Sequence, residues 1–218
     1  DLCRYTRQNT VPFYLRRGFD VWAGYNRYLN KRYVRHVDKL VCNSRNTQQR
    51  IKKYLGRDAT VIHPPIETSQ FQYKKTGDYW LSVNRLIAHK RVDLQMEAFS
   101  RLPGEKLVIV GSYEQSGHFR RYADYIKKIK PTNVEILNWV DRGRLLELYA
   151  DCKGFMTTSQ DEDFGMTVVE AMASGKPVIA PNEGGYKETV IDGVTGRLID
   201  DISPEKLVRT IKEIGKDP

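Results

Sequence analysis

No stretch of the sequence reaches the about eighteen consecutive apolar residues that a membrane-spanning helix needs, so no segment reads as transmembrane. The chain opens Asp1-Leu2-Cys3-Arg4, with neither an initiator Met nor the apolar core of a signal peptide, and an opening Asp is expected of a piece of something longer. Cysteine is scarce. Cys3, Cys42 and Cys152 are the three in 218 residues, and they lie far apart. They match no zinc spacing and no disulfide framework, which excludes a small stapled scaffold and suits a reducing compartment where free Cys serves as a small buried hydrophobe. His63, His89 and His118 have no Cys, His or acid at ligand spacing, so they read as surface or packing residues and no metal site is expected. Internal repeats and low-complexity tracts are also missing.

What is present is a globular composition, 40% hydrophobic with Gly and Pro scattered. The formal net charge of +9 is uneven, and segment 1–57 carries Arg16-Arg17, Lys31-Arg32-Tyr33-Val34-Arg35 and Arg50-Ile51-Lys52-Lys53. Such a segment fits solvated helix faces, a face that covers a partner domain, or peripheral contact with anionic lipid headgroups. A nucleic-acid binder would need exposed stacking aromatics in the rest of the chain, which are not evident, so no nucleic-acid partner is expected.

From about residue 79 apolar runs alternate with amphipathic ones. Strands are predicted at 79–83, 107–110, 134–137, 154–158, 177–180 and 196–199, with helices near 91–102, 117–129, 142–151, 166–174, 186–192 and 204–214. Short strands alternating with helices mean βαβ units and a parallel sheet, and the near-continuous apolar runs mean that both sheet faces are covered. The fold class is therefore α/β, a Rossmann-like parallel sheet with helices on both faces. Residues 1–66 read differently, mostly helical with short strands at 39–42 and 59–62 and a helix over 45–55 capped by Asn43-Ser44 and ended by Gly56. Pro64-Pro65 and the polar stretch after them mark a linker near 64–76. The division is set at 1–66 and 67–218.

The most informative stretch is Asp161-Glu162-Asp163-Phe164-Gly165-Met166-Thr167-Val168-Val169-Glu170-Ala171-Met172-Ala173-Ser174-Gly175. It follows a strand and opens a helix, so it lies at the carboxyl edge of the sheet, where ligands bind. Glu162 sits in the loop and Glu170 one turn inside the helix. The amides at the helix start favour an anion, and Gly165 lets backbone approach closely. The segment thus offers one carboxylate for sugar hydroxyls, amides for a phosphate, and a second carboxylate for a ribose diol.

The pattern Glu-x-Phe-Gly-x(4)-Glu-Ala-Met-Ala resembles the Glu-x(7)-Glu signature of the retaining GT-B glycosyltransferases, family GT4. Val83-Asn84-Arg85-Leu86-Ile87-Ala88-His89-Lys90 is similar to that family's Gly-Arg-Leu-x(3)-Lys segment, and Val110-Gly111-Ser112 to its second phosphate-side turn. Pro181-Asn182-Glu183-Gly184-Gly185 and Asp192-Gly193-Val194-Thr195-Gly196 resemble its late glycine turns. The resemblance runs from about Val37 to the end and is nearest to archaeal and bacterial mannosyltransferases. It implies that Arg85 and Lys90 bind the donor diphosphate, that Glu162 bonds the sugar hydroxyls, and that Glu170 holds the ribose. It also implies that backbone at Gly111, Gly165, Met166 and Thr167 contacts phosphate and sugar, with Val140 edging the base. No cofactor or metal is implied, because Arg and Lys replace the metal. The resemblance further implies a nucleotide-sugar donor, GDP-mannose ahead of a UDP-sugar, a glycan or lipid-linked acceptor, and a cytoplasmic location at the inner face of the membrane.

One departure is Asn84, which stands where the family has Gly and would need the left-handed backbone that Asn tolerates. The other is that 1–66 shows no glycine-rich loop and reads as the tail of an N-terminal acceptor domain, with Trp22 and Tyr25–Tyr28 as core of that domain. Donor binding with little or no turnover is then expected of the chain by itself. The competing readings are a fold-only nucleotide-binding or interaction module and another GT-B enzyme such as an epimerase or phosphorylase.

Overall fold

In the computed structural model the described residues are 7–8, 11–112 and 117–215, with the side chains of 117–119 left aside. Cys3 and the side chain of His118 lie outside them. The chain divides into two compact units, Asp1–Ile62 and His63–Pro218, so the break in contacts falls just ahead of Pro64-Pro65.

In the first unit, helix α1 (Arg16–Tyr33) carries Trp22, Tyr25 and Tyr28, all exposed. Strands β1 (Val41–Cys42) and β2 (Thr60–Val61) pair in parallel around helix α2 (Arg45–Leu55). The ends of α2 follow from its sequence. The Ser44 hydroxyl accepts from the Thr47 N–H at 3.0 Å, and Gly56 closes the helix in the left-handed conformation at φ 67°.

The second unit holds one sheet of six parallel strands in the order β5-β4-β3-β6-β7-β8. These are β3 (Tyr79–Val83), β4 (Lys106–Val110), β5 (Val134–Leu137), β6 (Gly154–Met156), β7 (Val178–Pro181) and β8 (Gly196–Ile199). Between and after them run α3 (Val92–Ser100), α4 (Gly117–Ile129), α5 (Arg142–Asp151), α6 (Met166–Ala173), α7 (Tyr186–Thr189) and α8 (Pro204–Ile214). Side chains alternate across a strand, and the two cores follow that alternation. Trp80, Leu107, Ile109, Met156 and Ile179 pack with α3, α4 and α8 on one face. Leu81, Val110, Phe155, Val178 and Ala180 pack with α5, α6 and α7 on the other. Both faces are therefore covered by helices, as the apolar runs require. Phe155, fully buried, sits where truncation to Ala costs about 3–5 kcal/mol.

Several predicted elements are shorter than expected: the helix at 91–102 spans 92–100, and the strands at 39–42 and 59–62 reduce to 41–42 and 60–61. Strand β6 ends at Met156 rather than 158, and beyond it the Thr157 and Thr158 hydroxyls bond Tyr186 Oη and the Lys90 and Arg91 carbonyls. Helix α7 stops at Thr189 because Val190 is extended at ψ 130°.

Candidate functional site

Strands β3, β4 and β5 step one way across the sheet, and β6, β7 and β8 step the other way from the far side of β3. The order reverses between β3 and β6, and a crevice at that point of the carboxyl edge is where α/β sheets bind ligands. The loop after β3 carries Arg85 and Lys90, and the loop after β6 carries Glu162. Across 72 positions of sequence, Lys90 Nζ donates to Glu162 Oε2 at 2.5 Å. Ser159 Oγ donates to the same oxygen at 2.8 Å. Burial pushes the Glu162 carboxyl up, but the Lys90 charge and the bonds from Lys90 and Ser159 outweigh it and hold the group below its ordinary value. Arg85 is exposed at the end of β3. Burial, then the charges of Lys90 and Arg85, pushes the His89 imidazole down, so it favours the neutral form there.

Gly165 opens α6 at φ 89°, and no side chain caps the helix. A Cβ on Gly165 would stand 2.7 Å from the Tyr186 ring, so this position needs Gly both for its backbone and for its neighbour. Met166 and Thr167 form the first turn, whose amides are the ordinary anion-binding end of a helix. Gly111 lies at the end of β4, and a Cβ there would strike the Asn84 carbonyl at 1.9 Å. Val140 is half-buried after β5, against the α5–α7 core, while Trp139 beside it is exposed. Glu170 belongs to a second network, with Tyr149 Oη donating to its Oε2 at 2.9 Å and Arg142 Nη1 lying 3.7 Å from its Oε1.

The expectation for Asn84 is corrected. Its backbone is not left-handed; the residue is buried, its N–H donates to the Val110 carbonyl at 2.9 Å, and its side-chain amide donates to Ser82 Oγ at 2.5 Å. The close approach that demands Gly falls on Gly111 instead.

Arg91, left-handed at φ 48°, was not singled out by sequence. Its guanidinium donates to the Thr158 carbonyl at 2.6 Å and to the Glu183 carboxylate. It thereby ties together the loops after β3, β6 and β7 and offsets a backbone conformation that costs on the order of 1–3 kcal/mol. Gly184 and Gly185 brace the same assembly, with Gly185 N–H donating to the Glu162 carbonyl at 2.7 Å. His63 stacks on Phe164 with ring centroids 5.3 Å apart and has Nε2 3.6 Å from the Glu188 carboxylate, which makes it a packing residue beside the site. A cavity of ≈ 200 Å³ lined by Tyr73, Thr76, Lys153 and Lys176 opens at the other, amino edge of the sheet and contains none of the candidate residues.

Residues 65–218 match the family described as Glycosyl transferases group 1. The chain is similar to the uncharacterized glycosyltransferase MJ1178 of Methanocaldococcus jannaschii, 27% identical over 189 residues that cover 86% of this chain and 52% of that protein. It is similar to the alpha-1,3/1,6-mannosyltransferase ALG2 of Dictyostelium discoideum at 29% identity, over 74% of this chain and 49% of that one. Among solved structures, Anabaena Alr3699/HepE in complex with UDP and glucose superposes with a TM-score of 0.78 at 22% identity, covering 88% of this chain and 57% of that one. The chain thus spans about half the length of the curated relatives it matches. Since the family match covers the whole six-stranded sheet and its carboxyl-edge loops, the chain belongs to the glycosyl transferases group 1 family.

Proposed function

We propose that this chain is the donor-binding half of a retaining glycosyltransferase that moves a sugar, mannose in our reading, from a nucleoside diphosphate to a glycan or lipid-linked acceptor. The observation that carries it is the pairing of Lys90 with Glu162 at the point of strand-order reversal, beside the uncapped start of α6. In this reading the amides of Gly165, Met166 and Thr167, together with Gly111, receive the diphosphate, and Val140 backbone edges the base. Glu162 accepts from the sugar hydroxyls, held in one orientation by Lys90 and Ser159. Arg85 and Lys90 face the phosphate that gains charge as the glycosidic bond breaks, where fixed cations act on the transition state. The donor phosphate takes the acceptor proton on the face that the leaving group vacates, which keeps the anomeric configuration. Glu170 holds the ribose diol.

The choice of GDP-mannose ahead of a UDP-sugar is supported by the ALG2 relatives, described as mannosyltransferases, while the UDP and glucose of the HepE complex support the alternative. The 1–66 segment is read as part of an acceptor-side domain.

Calorimetric titration with GDP, UDP, GDP-mannose and UDP-glucose tests the reading, with Arg85→Ala and Glu170→Ala as controls. One base family should bind, and both variants should weaken it. A folded chain that binds none of the four, or binds them equally well in both variants, contradicts the assignment.

A further inference from the structure

Glu170 can hold a ribose diol only if its carboxylate plane is fixed, because a bidentate acceptor must face two hydroxyls at once. Tyr149 sits on α5, and its ring is fully buried. It is wedged between Phe71, edge-on at 5.8 Å, and Phe155, tilted at 5.9 Å. The phenol oxygen therefore has no freedom to move. It stands 2.9 Å from Glu170 Oε2 and 3.4 Å from the Thr167 carbonyl, so its one hydrogen goes to the carboxylate. Burial, reinforced by the Glu170 charge, pushes the phenol well above its ordinary value and keeps it a donor at every physiological pH. The second carboxylate oxygen faces Arg142, whose guanidinium lies over the Phe71 ring at 5.1 Å and donates to Gln70 Oε1 at 3.2 Å. Each oxygen of Glu170 thus has its own holder, one rigid and neutral, one cationic and exposed.

We propose that Tyr149 is the positioning residue for Glu170 and, through it, sets the preference of this site for ribonucleotides over nucleotides that lack the 2′ and 3′ hydroxyls. The proposal rests on the reading of Glu170 as the ribose carboxylate. Tyr149→Phe keeps the ring and its packing and removes one hydroxyl. The carboxylate then keeps its charge but loses its fixed orientation, which harms a two-point acceptor and is irrelevant to a sugar with no hydroxyls to offer.

The experiment measures the dissociation constants of GDP, UDP and their 2′,3′-dideoxy counterparts for wild type, Tyr149→Phe and Glu170→Gln. Wild type should favour the ribonucleotide. Tyr149→Phe should weaken ribonucleotide binding about ten-fold, the scale of one hydrogen bond to a charged group, and leave the dideoxynucleotide unchanged. Equal weakening of both ligands makes Tyr149 a packing residue only and overturns the proposal, as does no change in either. If Glu170→Gln keeps the ribose preference, or no ligand binds wild type, the ribose reading of Glu170 fails and takes the proposal with it. If Glu170→Gln loses the preference while Tyr149→Phe keeps it, only the part given to Tyr149 falls.

Discussion

Lys90–Glu162 and Lys153–Glu105 are ion pairs at opposite edges of the same sheet, with side-chain exposures of 15% and 25% in the first and 20% and 22% in the second. By burial alone they are twins. Their surroundings separate them. Lys153 Nζ reaches both Glu105 oxygens at 2.8 and 2.9 Å, and Trp80 Nε1 adds a third bond at 3.0 Å. That pair is closed on itself and ties the starts of β3, β4 and β6 together. At the carboxyl edge, Lys90 and Ser159 converge on one oxygen of Glu162 amid loops that hold Arg91, Asp161, Gly165 and Gly184 in left-handed conformations. The left-handed glycines are unstrained, but Arg91 and Asp161 carry side chains at positive φ, and stored backbone strain of that kind gathers where function uses it. The lesson is that the depth of an ion pair says little about its role, and the topology and strain around it say more.

The largest effect should separate the twins. Lys90→Ala is expected to weaken nucleoside-diphosphate binding by about 1.5–3 kcal/mol, the worth of a hydrogen bond to a charged group. Lys153→Ala is expected to leave that affinity alone and lower unfolding stability by about 1–3 kcal/mol, since Glu105 is left half-buried without its cation. Calorimetric titration and denaturant unfolding on both variants check the pair of outcomes.

A second contrast uses two left-handed glycines. Gly165→Ala, at φ 89° with a Cβ 2.7 Å from the Tyr186 ring, should lower stability by about 1–3 kcal/mol. It should also weaken nucleotide binding. Gly175→Ala, at φ 67° on the amino edge with 3.3 Å to Tyr73 Cβ, should cost about 1 kcal/mol of stability with binding untouched. Thermal unfolding and titration on both variants read the difference.

Smaller still is the pH effect at Glu162. Its folded pKa lies below the ordinary 4.5, so its contribution to stability is complete above 4.5 and is lost as the pH falls through the lower folded value. The stability difference between wild type and Glu162→Gln, followed by unfolding at stepwise lower pH, should shrink on that descent. The smallest effect is expected at Lys106, whose 2.5 Å pair with Asp78 is exposed at 64% and 72%. Lys106→Ala should leave the unfolding midpoint where it is in wild type, because solvent screens an exposed pair.

The sheet was legible because each of its strands is a short apolar run with turn residues on both sides. Helices 142–151 and 204–214 were legible from their amphipathic runs, and the structure starts them where Asp141 and Ser203 cap them. At the site, the segment from Glu162 to Glu170 was legible as a loop feeding a helix, and so was the location of Arg85 and Lys90 after β3. What sequence could not give is which side chains meet. Lys90 and Glu162 are 72 positions apart, Tyr149 and Glu170 are 21 apart, and Arg91 and Glu183 are 92 apart. Such contacts depend on strand order, which alternation alone leaves open. Asn84 shows the same limit, since the need for Gly moved to the facing residue, Gly111, once β3 and β4 lay side by side.

The measurement that tests the central claim most directly is a paired titration of the preferred nucleoside diphosphate into wild type, Lys90→Ala and Lys153→Ala, each first shown to be folded. Affinity should fall at least ten-fold in Lys90→Ala, the scale of one hydrogen bond to a charged group, and stay at the wild-type value in Lys153→Ala. Equal affinities in all three, or a loss confined to Lys153→Ala, would contradict the claim.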